Sequence, residues 1–276
     1  MSKEFTYRIA TKDDLEFTDE IEKQALPIIS PYYKDNYQIF SEEIPGDLII
    51  VFDGDYPVGM GRYSFHPDGS MWLETVRVRP DYQRMGIGTG IYEKYLEVAK
   101  EQNIDLVRLY TEGFNDKSMG LTKKMGFQII QKYDYYSLAA DAEGREADKA
   151  DTRGFVVEKD LDKVMRIIEA QPWTELICMN NVFYEPSRDN MVWFVERDMF
   201  YSKGDSLMLV GARHNRNSVA YLGYMAGDYQ SCVEAAISMN PGKTVSAGIS
   251  KNNPKLGQYF SNFEKRYDLV VSEKRS

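Results

Sequence analysis

The sequence of 276 residues has few of the residues that bind metals or form disulfides. It contains two cysteines, Cys178 and Cys232, and two histidines, His66 and His214. The cysteines are too few and too far apart for a disulfide framework or a zinc knuckle. Two histidines also argue against a multi-histidine metal site, so we expect a protein that binds no metal.

Long apolar runs and basic runs are missing as well. Apolar runs such as Leu48 to Phe52 are far too short to span a membrane, and the first residues show no apolar stretch of signal-peptide length. The net charge is −9 and no run of lysines or arginines occurs, which argues against a nucleic-acid binder. We therefore expect a cytoplasmic protein that binds neither membrane nor nucleic acid; the sequence leaves a homodimer open.

The composition nevertheless supports a folded protein of one large domain or two of ordinary size. Hydrophobic residues make up 43% of the sequence and aromatic residues 13%, which is enough for a sizeable core. The stretch Ala139–Gly154 consists mainly of small and charged residues and is poor in large apolar ones, as an exposed linker should be. We predict a first domain over 1–140, a linker over 141–154 and a second domain over 155–276.

The two parts repeat one order of elements weakly. In the first part a strand at 5–10 precedes a helix from about Lys12, a hairpin turns around Gly54, and the strand "MWLETVRVRP" leads to a helix of about 88–102. In the second part "GFVVEKDLDKVMRII" has the same strand and helix pattern, and "DYQSCVEAAISMN" is a helix after a strand pair. This order predicts a diverged tandem duplication of one fold.

Three glycines, Gly86, Gly88 and Gly90, open the predicted helix directly after a predicted strand. Amide groups at such a position have no partner within the helix, and residues without side chains let an anion approach them. A dinucleotide fingerprint fits poorly because the spacing is G-x-G-x-G and Asp105 begins the next strand, where the ribose-binding acid should end it. A turn without a ligand rarely needs three glycines, so we predict a pyrophosphate site.

Two motifs extend this prediction to a family. The stretch "VRPDYQRMGIG" resembles the acetyl-CoA signature of the GCN5-related N-acetyltransferases (GNATs), V-x-P-x-x-[QR]-x-x-G-x-[GA]. The signature positions are Val78, Pro80, Gln83, Gly86 and Gly88. The next family motif, N-x-x-A-x-x-L-Y-x-K-x-G-F, is met at Asn115, Leu121, Lys124, Gly126 and Phe127 and departs at Ser118 and Thr122. The resemblance is strong over 5–138 and holds over 155–272 by element order, without a second glycine loop.

The resemblance implies an α/β (α+β) fold of two GNAT-like domains. Each is expected to be a mixed, mostly antiparallel twisted β-sheet flanked by helices, and the second copy to be degenerate. The implied activity is an N-acetyltransferase that uses acetyl-CoA as cosubstrate. The acetyl group would pass to a primary amine by direct attack in a ternary complex.

The family motifs also imply a set of cofactor-binding residues. By resemblance these are Val76, Val78, Gln83, Arg84, Met85, Gly86, Gly88, Thr89 and Asn115. The backbone of the two valines would bind the pantetheine, and the amides of the loop would bind the pyrophosphate. Arg84 either adds charge there or is a solvated surface arginine, and Asn115 either binds the pantetheine arm or caps its helix.

Glu74 is our candidate for the general base. Residues 74, 76 and 78 of a regular strand share one face, so the carboxylate would project beside the residues that hold the thioester. The alternative is a solvent-exposed edge glutamate.

Thr122 stands where the family has a tyrosine that protonates the departing thiolate. A thiol has a pKa of about 8.5, so the thiolate can leave without full proton transfer. Tyr133, Tyr135 or Tyr136 could replace the missing acid. The departure also motivates a second hypothesis, a non-catalytic acetyl-CoA-binding or sensing protein.

The distribution of charge indicates the acceptor. Residues 1–138 hold 23 acidic and 16 basic residues, a net of −7 out of −9. Acidic walls attract cations, so the sequence favours a small cationic amine. The alternative is that these acids form a solvated surface.

Overall fold

The computed structural model describes residues 4–25, 31–142, 152–171 and 175–275. They divide into two compact units, each built from segments that are separate in sequence. The first unit comprises the described residues of Met1–Leu109, Asp116–Ile129 and Ser272–Ser276, and the second those of Tyr110–Asn115 and Ile130–Val271. Most of the predicted linker, 143–151, lies outside the described residues, and the predicted domain bounds stay a prediction.

The first unit contains a sheet in which the strands lie in the order β1-β2-β3-β4-β5. The elements are β1 Thr6–Ile9, α1 Leu15–Ala25, α2 Tyr37–Glu42, β2 Leu48–Asp53, β3 Tyr56–Phe65, β4 Met71–Val78, α3 Ile87–Glu101, β5 Leu106–Glu112 and α4 Asp116–Lys124. The pairs β1–β2, β2–β3 and β3–β4 are antiparallel, and β4–β5 is parallel. Strand β5 begins in the first unit, and its last three residues belong to the second.

Two apolar clusters cover the two faces of this sheet. Successive side chains of a strand point to opposite faces, and β2 shows this directly. Ile49 packs in one cluster with Ile91 of α3, whereas Ile50 packs in the other with Ile21 of α1 and Phe40 of α2. The sheet therefore has an α3 face and an α1/α2 face.

The second unit repeats this plan. Its sheet has the order β14-β6-β13-β12-β11-β10-β7, with β12 and β13 parallel, and β8 and β9 form a separate hairpin. The elements are β6 Gln128–Leu138, β7 Val156–Val157, α5 Leu161–Glu169, β8 Ile177–Met179, β9 Val182–Tyr184, α6 Arg188–Val195, β10 Phe200–Lys203, β11 Ser206–Gly211, β12 Val219–Ala226, α7 Tyr229–Ser238, β13 Thr244–Ser250 and β14 Glu264–Arg275. Residues 128–129 of β6 and 272–275 of β14 belong to the first unit.

The predicted fold class is confirmed, because each unit is a mixed, mostly antiparallel sheet with helices packed against it. The predicted hairpin at Gly54 and the helix at about 88–102 are present as β2–β3 and α3. The segment "NNPKLGQYFSN" contains a 3-10 helix at Pro254–Phe260.

Candidate functional site

The loop between β4 and α3 is shaped by two residues with left-handed backbone. Arg84 has φ 65° and Gly86 has φ 89°, and Gly86 is the N-cap of α3. Glycine adopts this conformation without strain, whereas arginine rarely does. Among the described residues no side chain caps α3, so the amides of residues 86–89 have no partner within the helix and face outward from its first turn.

A side chain at each of the three glycines of the loop would meet a different environment. Gly86 supplies the left-handed turn, and a Cβ at that position would project into open space. At Gly90 a Cβ would lie 2.2 Å from the hydroxyl of Tyr7, so this glycine lets β1 pack against α3. At Gly88 a Cβ would lie 3.1 Å from Leu121 of α4. Gly86 therefore shapes the predicted phosphate site, while Gly90 is explained by packing.

The side chains of the loop divide between structural and exposed positions. Gln83 joins the end of β4 to α4, because its Nε2 donates to Val78 O at 3.4 Å and its Oε1 accepts from Lys117 Nζ at 3.1 Å. Arg84 and Met85 are exposed, and Met85 retains 48% of its accessible surface. Thr89 is half-buried in the first turn of α3. Lys117 thus adds a basic group beside the loop that the sequence motifs did not single out.

A β-bulge in β4 changes which residues share a face. Arg62 of β3 pairs with Glu74, but Met60 pairs with Arg77, so two residues of β4 oppose the single Gly61. Thr75 in the bulge has φ 62°. The expectation that 74, 76 and 78 share a face is therefore wrong.

The bulge places Glu74 on the α1/α2 face and the two valines on the other. Val76 and Val78 pack against the cluster that contains α3. Gly61 leaves room there for Tyr95, whose hydroxyl donates to the backbone oxygen of Glu74 at 3.4 Å.

The side chain of Glu74 forms a buried ion pair. Nη1 of Arg62 lies 2.5 Å from Oε1 of Glu74, and the two side chains are 1% and 8% exposed. Ser64 donates to the same oxygen at 3.2 Å, and Nη2 of Arg62 donates to Ile44 O at 2.8 Å. The alternative of a solvent-exposed edge glutamate is excluded, and a guanidinium stabilises the carboxylate as the anion.

A second buried carboxylate, Glu22 of α1, belongs to the same face. Its Oε2 accepts the amides of Tyr32 and Tyr33, each at 3.0 Å. Burial raises the pKa of Glu22, and the two amide bonds and the charge of Arg77 oppose that rise. The sequence did not reveal this residue, since the backbone that binds it lies ten residues away in a segment without a clear pattern.

Tyr32 connects this carboxylate to the bulge. Its hydroxyl is hydrogen-bonded to Oγ1 of Thr75, and burial raises the pKa of Tyr32 to about 12. The charges of Arg77, Glu74 and Glu22 all act on this phenol. The α1/α2 face thus gathers two carboxylates, two guanidinium groups and a neutral phenol beside the distorted part of β4.

The remaining predicted residues lie in different surroundings. Thr122 is 4% exposed and its hydroxyl donates to Ser118 O at 2.8 Å, within α4. Tyr92 of α3 is hydrogen-bonded to Thr122, so a phenol stands beside this position, and burial raises the pKa of Tyr92. Asn115 and Tyr133 belong to the second unit.

Tyr133 is committed to contacts of its own unit. Its hydroxyl lies 3.0 Å from Leu176 O and 2.5 Å from Oε1 of Gln131. Burial raises the pKa of Tyr133 well above its ordinary value, and the charge of Glu175 adds to the rise. The predicted role of Tyr133 as an acid stays a prediction.

No group of three or more histidine, cysteine, aspartate or glutamate side chains among the described residues is arranged to hold a metal ion. In the same part of the chain, no helix is long and apolar enough to cross a membrane. The two cysteines are buried, and burial raises the pKa of each thiol to about 12.

Comparison with known proteins identifies relatives of both the site and the fold. Residues 12–127 match the family described as "Acetyltransferase (GNAT) family". Thialysine N-epsilon-acetyltransferase of Bos taurus is 34% identical over 81 residues, which are 28% of this chain and 48% of that protein. The chain thus spans about half the length of the curated relatives it matches.

Solved structures resemble the whole chain. A GCN5-related N-acetyltransferase from Sphaerobacter thermophilus has a TM-score of 0.71 at 10% identity, covering 98% of this chain and 95% of that one. The tandem GNAT protein from the clavulanic acid biosynthesis pathway has a TM-score of 0.63 at 12% identity, covering 99% and 98%. At these identities the likeness shows the fold alone, and it extends over both units.

Proposed function

Because the chain belongs to the acetyltransferase (GNAT) family over residues 12–127, we propose that it transfers an acetyl group from acetyl-CoA to a primary amine. The acceptor in this proposal is a small cationic molecule, and the amine attacks the thioester directly in a ternary complex. The observation that carries the proposal is the uncapped N-terminus of α3, presented by the left-handed turn at Gly86.

The residues of this turn fit a pyrophosphate. A Cβ at Gly86 meets no atom within 4 Å, so the amides at the start of α3 are open to an approaching anion. The positive end of the helix dipole and the basic side chains of Arg84 and Lys117 favour negative charge there. We propose that the amides of Arg84, Met85, Gly86, Gly88 and Thr89 hold the phosphates.

Strand β4 offers a second set of backbone groups. Its ladder with β5 pairs residues 71–73 with 107–109, whereas β4 continues to Val78. On one side of β4, Val78 pairs with Gly59 of β3, and Val76 lies in the bulge opposite Gly61. We propose that the pantetheine arm lies along the other edge of β4, where it can bond to the peptide groups of Val76 and Val78 as a neighbouring strand would.

The α1/α2 face is the proposed place of the acceptor amine. Acyl transfer needs an unprotonated amine and therefore a group that takes its proton. Glu74 stays our candidate for that group, although the Arg62 pair favours its anionic form and weakens it as a base. Glu22 is a second candidate, since burial raises the pKa of its carboxylate and a carboxylate with a raised pKa is a stronger base.

Tyr92 is our candidate for the group that protonates the leaving thiolate. It is hydrogen-bonded to Thr122, and Thr122 occupies the position where the family motif has its tyrosine. Tyr92 also belongs to the same unit as the glycine loop. A Tyr92→Phe variant should lower turnover and leave acetyl-CoA affinity unchanged. A Tyr133→Phe variant supplies the comparison, and a larger loss there would favour Tyr133 as the acid.

The acceptor class rests on charge and on one relative. The first 138 residues carry −7 of the net charge of −9, which attracts cations. The name of the bovine relative, thialysine N-epsilon-acetyltransferase, specifies the ε-amine of thialysine. Both observations support a primary amine of an amino-acid-like or other small cationic molecule.

A non-catalytic acetyl-CoA-binding or sensing protein is the second candidate function. It is favoured by Thr122, whose hydroxyl donates to Ser118 O within its own helix and supplies no acid in the role of the family tyrosine. Release of free CoA in the presence of an amine separates the two functions, because a sensor binds acetyl-CoA without turning it over.

The test combines binding and turnover. Gly86→Ala should weaken acetyl-CoA binding at least tenfold, because the new methyl group projects where the phosphates are proposed to lie. Gly54→Ala is the matched control, since Gly54 also has a left-handed φ, 60°, with open space around it, but lies in the β2–β3 turn. Equal affinities in the two variants would contradict the phosphate site.

Turnover is then measured with cationic, neutral and anionic amines at low and high ionic strength. Salt should lower kcat/KM for the cationic acceptors, since it screens exposed charges. Activity limited to neutral or anionic acceptors would contradict the cationic class. Acetyl-CoA binding without CoA release from any amine would favour the sensor.

A further inference from the structure

A cavity of about 50 Å³ lies in the second unit, where the parallel strands β12 and β13 separate. Their ladder pairs residues 219–221 with 244–246. The cavity is lined by the residues that follow, 222–225 of β12 and 248–250 of β13. It is therefore a cleft that the repeated fold creates between two diverging strands.

Glu175, a polar residue of the cavity lining, has an unsatisfied carboxylate oxygen. Oε1 of Glu175 accepts from Nδ2 of Asn252 at 2.6 Å. Oε2 is buried and, within the described part of the chain, accepts no hydrogen bond. Burying a carboxylate oxygen without a hydrogen-bond donor costs free energy, and a ligand that donates to this oxygen would recover that free energy.

The rest of the lining sets the size and the apolar character of an occupant. The apolar residues are Ile177, Leu222, Met225, Ile249, Leu256 and Phe260. One water molecule takes up roughly 10–15 Å³ of cavity volume. A cavity of about 50 Å³ therefore has room for about three to five small non-hydrogen atoms. An alkyl chain of a few carbons with a polar end fits both the volume and the lining.

The start of helix α7 in the second unit is not suited to a phosphate. Helix α7 follows β12 as α3 follows β4, but its N-cap is Asp228, whose Oδ1 accepts the amide of Ser231 at 3.1 Å. The amide of Asp228 itself donates to Oγ of Ser206 at 2.9 Å. Where α3 has a glycine and outward-facing amides, α7 has a carboxylate, which repels a phosphate.

We propose that this cavity binds a small primary alkylammonium ion, with Glu175 as its counter-charge. The ammonium group donates to Oε2 of Glu175, and the alkyl chain lies between the apolar side chains of β12 and β13. Tyr133 lines the same cavity, and its hydroxyl oxygen is a further acceptor for the ammonium. The site lies wholly within the second unit and does not depend on acetyl transfer by the first.

The test is calorimetry of the full chain with n-butylammonium chloride in the absence of acetyl-CoA. Binding should weaken at least tenfold in Glu175→Gln, because a charged hydrogen bond becomes a neutral one. Glu196→Gln, an exposed carboxylate of the same unit, is the matched control and should bind as the wild type does. Equal loss in both variants, or none in Glu175→Gln, would overturn the proposal.

Two comparisons keep the result specific to this cavity. With the wild type, 1-butanol and butyrate should bind at least tenfold more weakly than n-butylammonium, and equal binding of the three would overturn the role of charge. In Glu97→Gln, which removes an exposed carboxylate of the first unit, affinity for n-butylammonium in the absence of acetyl-CoA should be unchanged. Binding lost in Glu97→Gln and retained in Glu175→Gln would place the amine in the first unit and overturn the second-unit site.

Discussion

Replacing Glu74 with glutamine tests the buried ion pair of the first unit. In the wild type, Arg62 and Glu74 are almost fully buried and lie 2.5 Å apart. In Glu74→Gln the guanidinium stays buried and keeps its bonds to the backbone oxygens of Phe40 and Ile44. Removing one partner of a buried pair costs about 3–5 kcal/mol. We expect a loss of about 3 kcal/mol, since two carbonyl groups remain and the glutamine oxygen still accepts a bond.

The assay is chemical denaturation of three proteins: the wild type, Glu74→Gln, and the double variant Arg62→Met/Glu74→Gln. The double variant should recover most of the free energy of unfolding, because no uncompensated charge remains buried. Turnover is measured on the same samples at pH 7 and pH 9. If Glu74 takes the proton of the amine, both variants lose kcat, and the loss is smaller at pH 9, where more of the amine is unprotonated.

Two results would contradict this reasoning. A free energy of unfolding for Glu74→Gln within about 0.5 kcal/mol of the wild type would mean that the pair stabilises nothing. A kcat of the double variant equal to that of the wild type would mean that Glu74 is not the general base. Glu22→Gln would then be the next variant to measure, with the same pH series.

Three further predictions concern other parts of the chain. The Arg8 bond lowers the pKa of Asp14 to about 2, so this carboxylate contributes stability above about pH 4 that is lost as pH falls to 2. Arg8 is half-exposed, so we expect Asp14→Asn to cost about 1–2 kcal/mol at pH 7 and almost nothing at pH 2; an equal cost at both would contradict it. Thr122→Tyr should destabilise by about 1–3 kcal/mol through overpacking and leave turnover no higher, whereas faster turnover with unchanged melting would favour a decayed acid position. Cys178 and Cys232 should not react with a thiol reagent in the native protein and should react after unfolding, and rapid native labelling would contradict their burial.

Much of the fold could be predicted from local patterns in the sequence. Gly54 between two apolar runs predicted the β2–β3 hairpin, and Ile87, Ile91 and Tyr95 at helical spacing predicted α3. Each of these signals lies within a few residues of the feature it predicts. The glycine loop was predictable for the same reason, although Gly90 proves to be a packing position for Tyr7.

The site was less predictable because its geometry depends on distant residues. The bulge at Thr75 leaves no mark on the alternation of "MWLETVRV", yet it moves Glu74 to the face opposite Val76. The partner of Glu74 is set by the register of β3 against β4. Glu22 gained its role from the backbone of a segment whose fold the sequence did not indicate.

The division of the chain into units has a consequence for the order of synthesis. Residues 272–275 belong to the first unit, where Glu273 lies 3.3 Å from Arg108 and Nζ of Lys274 donates to Met125 O at 2.9 Å. A ribosome makes these residues after all of 130–271, and domains generally fold in the order in which they emerge. The first unit therefore stays incomplete until the polypeptide of the second has been translated. Until then, the side chain of Arg108 lacks its carboxylate partner, Glu273.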